Sequence, residues 1–136
     1  MNLPPQAQRR VEEDHVVWLT TVADSGAPAP NPVWFVADGD DLVVFTDPHT
    51  RKVHNIEQRS TVSVHFNSDF SGGDVVVITA DVDMDHGQAP SANPAYLDKY
   101  REGIKALGLT VEELDRTFNT RLRLRPKRVR LTAGEP

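Results

Sequence analysis

Residues 75–86, VVVITADVDMDH, alternate from Val76 onward: Ile78, Ala80, Val82 and Met84 fall on one side, Asp81, Asp83 and Asp85 on the other. A period of two over that length reads as a strand with one buried face and one in water, and it commits the chain to a sheet. TVSVHF, 61–66, repeats the pattern, with Val62, Val64 and Phe66 opposed to Ser63 and His65. VVWLTTV, 16–22, is β-branched and apolar on both faces, as a fully buried strand is. PVWFVA (32–37) and LVVFT (42–46) read as two more strands, with DGDD (38–41) as a hairpin signal between them. These short connections predict that the first three strands form an antiparallel meander.

The sixth strand is TRLRLRPKRVRL, in which Leu122 and Leu124 hold even positions and Val129 and Leu131 odd ones. The phase slips by one near Pro126 and Lys127, where a β-bulge is expected and a proline is tolerated. Helices are expected over 5–14, 50–59, 95–107 and 111–118. Pro4 and Pro5 open the first, and Thr110 with Glu113 forms a capping box before the last. Six strands, short turns and peripheral helices predict a mainly β fold, a small closed or nearly closed antiparallel barrel without exposed edges. At 136 residues, the chain 1–136 fits one domain.

The absence of cysteine excludes disulfides, thiolate nucleophiles and cysteine-held metals, so redox chemistry requires a bound cofactor. A net charge of -5 argues against a general nucleic-acid surface. No segment approaches the roughly 20 apolar residues that span a bilayer. The first 15 residues lack the apolar core of a signal peptide, and a soluble cytoplasmic protein is expected.

TDPHTRKVHN, 46–55, carries the main candidate site. A strand ends at Thr46 and a helix starts near Thr50, so backbone N–H groups and the positive end of a helix dipole meet there. Cations are disfavoured in a helix's first turn, yet Arg51 and Lys52 occupy it. Two readings stand: an anion held by both side chains with two hydroxyls nearby, or an ordinary solvated helix start. Elsewhere, strand alternation accounts for Asp81, Asp83 and Asp85 better than a calcium loop does, because the glycine falls one place late. No metal site is expected, and His15, His49, His54, His65 and His86 show no paired spacing. The arginines at 121, 123, 125, 128 and 130 read as a solvated face or a clamp for an acidic ligand. Nucleophile-elbow, dinucleotide and P-loop patterns are missing.

The ordered set WLTTVADSGAPAPNPVWFVADGDDLVVFTDPHTRKVHNIEQRSTVSVHF resembles the flavin/deazaflavin oxidoreductase superfamily, the pyridoxamine-phosphate-oxidase-like split barrels. The likeness spans about residues 8–131 and is nearer to the actinobacterial coenzyme F-420-dependent branch. It implies a split β-barrel and a homodimer with the cofactor in a groove between subunits. The oxidases grip the cofactor phosphate with T-x-x-x-S-R-K; Thr46, Thr50, Arg51 and Lys52 stand in those places here, with Asn55 completing T-R-K-x-x-N-I. Asn31, Pro32, Val33 and Trp34 would lie along the tricyclic ring. The oxidases carry a basic residue and a lysine near the start and end of that strand, where this chain has Asn31 and Val36. The resemblance therefore implies an F-420-dependent reductase passing hydride to a small organic acceptor, with the basic residues suiting the cofactor's acidic tail. The alternatives are an FMN-binding flavoprotein and a cofactor- or ligand-binding module without turnover. No proton donor is evident, and loops 67–74 and 87–94 are the expected wall of the acceptor pocket.

Overall fold

The computed structural model describes residues 2–132. One antiparallel sheet of seven strands runs in the order β2-β1-β5-β6-β7-β4-β3. The strands are β1 (Val17–Val22), β2 (Pro28–Val33), β3 (Val36–Asp38), β4 (Asp41–Thr46), β5 (Thr61–His65), β6 (Val75–His86) and β7 (Thr120–Thr132). The helices are α1 (Pro5–Glu13), α2 (Arg51–Gln58), α3 (Pro94–Ala106) and α4 (Val111–Thr117). The mainly β split-barrel expectation stands, with one correction.

That correction concerns 32–37, expected as one strand of a meander. The chain leaves β2 at Val33, passes through Trp34 and Phe35 unpaired, and re-enters the sheet as β3 on the opposite edge. Apolar residues run unbroken across PVWFVA, so periodicity alone does not reveal the break. The broken backbone is satisfied from another element. The Tyr100 hydroxyl of α3 accepts the Phe35 N–H at 2.8 Å, and its proton reaches the carbonyl of His15 at 2.7 Å or of Phe35 at 2.8 Å. Phe35 is wholly buried there. The barrel is thus split between β2 and β3, which share no ladder.

The exposed edge at β2 is blunted by its own sequence. Pro28, Pro30 and Pro32 pair with Val22, Thr20 and Trp18. Proline has no N–H to give β1, so these three occupy the non-hydrogen-bonded pairs, and their backbone groups point outward. The outer rim there presents carbonyls without amide donors between them, which discourages another strand from adding on.

The inner face of the sheet holds the main core, including Val17, Leu19, Leu42, Val44, Val64, Ile78, Leu122 and Leu124, with Leu3, Ala7 and Val11 packed in from the N-terminal segment and α1. A second cluster lies on the outer face, where Val43 and Phe45 of β4 meet Tyr96, Tyr100 and Ile104 of α3 and Leu114 of α4. The predicted bulge is present: Thr79 pairs with Arg128 and Ala80 with Pro126, leaving Lys127 as the extra residue. One inserted residue keeps the arginines on one face on both sides of the slip. Arg121 pairs with Asp85, Arg125 with Asp83, Lys127 with Asp81 at 3.1 Å, and Arg123 with Asp38 at 2.6 Å and Asp41 at 3.2 Å. The alternating acids therefore face bases across strands. Arg128 and Arg130 are exposed, and neither makes an ion pair among the described residues.

Tyr100→Phe should cost about 1–3 kcal/mol, because it strands a buried amide without a partner. Tyr96→Phe, which removes a hydroxyl with no partner among the described residues, should change stability by less than about 0.5 kcal/mol. Urea unfolding of the two variants side by side checks the contrast.

Candidate functional site

β4 delivers its last residue, Thr46, almost fully buried, and the chain turns through 47–50 into α2. Lys52 folds back over this junction and donates to the Thr46 hydroxyl at 3.2 Å. Burial pushes the Lys52 ammonium below its ordinary value, against the opposing charge of nearby Asp47. No carboxylate lies within ion-pairing distance of it among the described residues. A half-buried cation without a direct ion pair is costly, and an arriving anion would relieve that cost.

Thr50 sits at the N-cap of α2 but does not cap it; its hydroxyl donates to the Asp47 carbonyl at 3.0 Å. The first-turn amides are therefore uncapped by a side chain, which leaves them available to an anion. Arg51 is exposed beside them. The structure thus brings Thr46 and Lys52 into contact, with Thr50 and Arg51 between them in the chain.

Asn55 faces the other way. It is 2% exposed, donates to the Thr21 hydroxyl of β1 at 3.0 Å, and its Oδ1 has no partner among the described residues. Its observed contact fastens α2 to the barrel. A second tether went unread in the sequence: His54 bonds both carboxylate oxygens of Asp24 in the β1–β2 turn, at 2.9 and 3.0 Å. The His54 hydrogen bond, ahead of the charges of Arg51 and Arg59, holds Asp24 below the usual carboxylate range.

The four β2 candidates divide. Asn31 and Pro32 are exposed, while Val33 packs against the inner core. Trp34 lies flat on α3, stacked on Tyr100 at 4.4 Å between ring centroids, with two ring atoms 3.1 Å from where a Gly103 Cβ would stand. Pro32, Val33 and Trp34 also form one lip of an apolar cleft of about 210 Å³, whose far side is Phe45, Tyr96, Leu107, Leu114 and Phe118. Phe45 and Thr46 are consecutive in β4, so one strand end serves both the cleft and the lysine junction.

Neither expected loop lines this cleft. Loop 67–74 is pinned instead by Arg10, which reaches the Asn67 carbonyl at 2.6 Å and the Asp74 carbonyl at 3.0 Å. Loop 87–94 lends Gln88, Ala89, Ala92 and Asn93 to a separate polar pocket beside Arg121 and Arg123. The cleft-forming residues of α3 and α4 were legible only as helix positions; Tyr96 and Tyr100, four apart on one face, are the signal that could have marked the contact with the sheet.

Residues 3–133 match the family model described as pyridoxamine 5'-phosphate oxidase. The chain belongs to the pyridoxamine 5'-phosphate oxidase family. Solved structures share the fold of this family member at low identity. An F-420 reductase aligns with a TM-score of 0.74 at 19% identity, covering 94% of this chain and 98% of that one. The heme storage protein HutZ from Vibrio cholerae gives 0.66 at 18%, covering 97% and 96%. General Stress Protein 26 from Bacillus anthracis gives 0.70 at 15%, covering 96% and 93%. No curated protein matches the sequence. The flavin- or deazaflavin-binding split barrel of the family is the frame in which the Thr46–Lys52 junction lies.

Lys52→Met should leave the cofactor-free protein at least as stable as the parent, to within about 1 kcal/mol, because it removes a half-buried unpaired charge. A loss above about 2 kcal/mol in urea unfolding would show that Lys52 is a structural tie rather than a group held ready for a ligand.

Proposed function

We propose that the chain is a coenzyme F-420-dependent reductase, acting as a cytoplasmic homodimer on a small organic acceptor. Thr46, Thr50, Arg51 and Lys52 would hold the cofactor's phosphodiester, and the Asn31–Trp34 segment would flank its ring. The observation that carries the reading is Lys52: half-buried, bonded to Thr46, and without an ion-pair partner among the described residues. The residues fit such a group, since a lone phosphate charge would complete both the lysine and the uncapped first turn of α2. When bound, a deazaflavin supplies hydride chemistry, and the protein supplies position and electrostatics.

The preference for F-420 over FMN rests on charge. FMN ends in a dianionic phosphate, a phosphodiester carries one charge, and the junction offers Arg51 and Lys52. Of the two positions where the oxidases add basic groups, Val36 is buried in the second cluster and Asn31 is an exposed amide. Arg128 and Arg130 are exposed and make no ion pair among the described residues, so they are among the bases that could meet an acidic tail. The fold similarity to an F-420 reductase supports the same choice. The dimer reading draws support from β2, where Pro28, Pro30, Asn31 and Pro32 are exposed in the single chain. Its donor-free rim favours association through faces rather than by strand addition.

Fluorescence titration of cofactor-free protein with F-420 and with FMN tests the proposal. F-420 should bind more tightly, and Lys52→Ala should weaken it roughly tenfold or more through loss of a charge-assisted contact. Tighter FMN binding would move the assignment to a flavoprotein. Unchanged F-420 affinity in a folded Lys52→Ala variant would return Arg51 and Lys52 to a solvated helix start.

A further inference from the structure

Tyr96 stands apart among the buried polar groups. Among the described residues two side-chain polar atoms are both unpartnered and sealed from solvent, Asn55 Oδ1 and Arg121 Nε. The Tyr96 hydroxyl has no partner among the described residues either, yet it is not sealed, although the residue as a whole is only 3% exposed. A buried tyrosine hydroxyl normally finds a hydrogen-bond partner. Tyr96 borders the apolar cleft, so the unpartnered hydroxyl and the cleft wall belong to the same residue. Burial, with Tyr100 beside it, raises its pKa, so it stays protonated and can donate.

The rest of the cleft limits what could accept that proton. Pro32, Val33, Trp34, Phe45, Leu114 and Phe118 bring no charge to the lining. A charged ligand would be desolvated there without a partner. Leu107, 62% exposed, stands at the rim as an apolar entrance. The volume of about 210 Å³ exceeds the roughly 150 Å³ of an engineered apolar cavity that takes up benzene.

We propose that this cleft binds a neutral, mostly apolar molecule of one or two fused rings bearing a carbonyl oxygen, which accepts a hydrogen bond from Tyr96. Its role as the acceptor subsite rests on the reductase reading above; the binding itself does not.

The test uses the full, cofactor-free chain and three bicyclic probes: α-tetralone, tetralin, which has the same rings without the oxygen, and naphthoate, which is charged. Binding is read by calorimetry and by the fluorescence of Trp34. α-Tetralone should bind roughly three- to tenfold more tightly than tetralin, the value of one neutral hydrogen bond, and naphthoate more weakly than either. Tyr96→Phe should bring α-tetralone down to the level of tetralin, leave tetralin unchanged and keep the melting temperature. Leu107→Asp, a change at the exposed rim, should weaken both neutral probes. Equal affinity for α-tetralone and tetralin, or a difference that survives Tyr96→Phe, would overturn the proposal. Failure of both to bind would do the same, as would binding that fades as protein concentration rises, which would place a second copy in the cleft. Because no cofactor is present, the test does not require the F-420 titration to succeed.

Discussion

The hydroxyl of Tyr100 is the contact on which the rest of the architecture depends. The chain must cross from one edge of the sheet to the other between β2 and β3, and the crossing leaves backbone polar groups buried without a ladder. An unpartnered buried amide is costly, and one phenol satisfies the one at Phe35 while bonding a carbonyl just before β1. This anchors α3 against the break. Trp34 then stacks on the same tyrosine, and Lys99 places its ammonium 3.6 Å above the Phe35 ring. Burial lowers the Lys99 pKa to about 8, with the charge of Asp14 opposing. The cleft is a consequence: helices held over the split leave room between the β2 lip and Phe45.

The middle and the last residue of β4 differ in kind. Its middle is sealed in the barrel, whereas its last residue opens onto a lysine, an uncapped helix and an exposed arginine. On the reading proposed above, these groups are held for a ligand, since each would be more stable with a partner. The remaining bases show the opposite economy. Arg121, Arg123, Arg125 and Lys127 are neutralised by acids across the sheet, and the bulge at Lys127 is what keeps the arginines on one face. What looks in sequence like a continuous basic stripe is, in space, a ladder of ion pairs ending in two arginines that have no ion pair among the described residues.

Much of this was visible in the residues themselves. β6 runs over 75–86 as read from its alternation, the phase slip marked the bulge, and Thr110 with Glu113 forms the expected capping box. The Thr46-to-Lys52 junction was legible because a strand end, a turn and a misplaced pair of cations fall in one short stretch. The break at Trp34–Phe35 was not, since apolar residues continue through it and the hydroxyl that supports it lies 65 residues away. The cleft was hidden for the same reason: its walls come from four elements, and no local period reports their convergence. Asn55 shows the converse limit, a residue fitting a motif whose side chain the fold turns toward Thr21.

Amide hydrogen exchange at Phe35 tests the central claim most directly. Phe35 lies outside any strand, so an ordinary connecting loop would leave its N–H to exchange fast through local fluctuation. If the Tyr100 hydroxyl holds the split, this amide exchanges only on global unfolding, as slowly as those of β6 and β7, and loses that protection in Tyr100→Phe. Rapid exchange at Phe35 in the unmodified protein, at the rate of loop 67–74, would contradict the account.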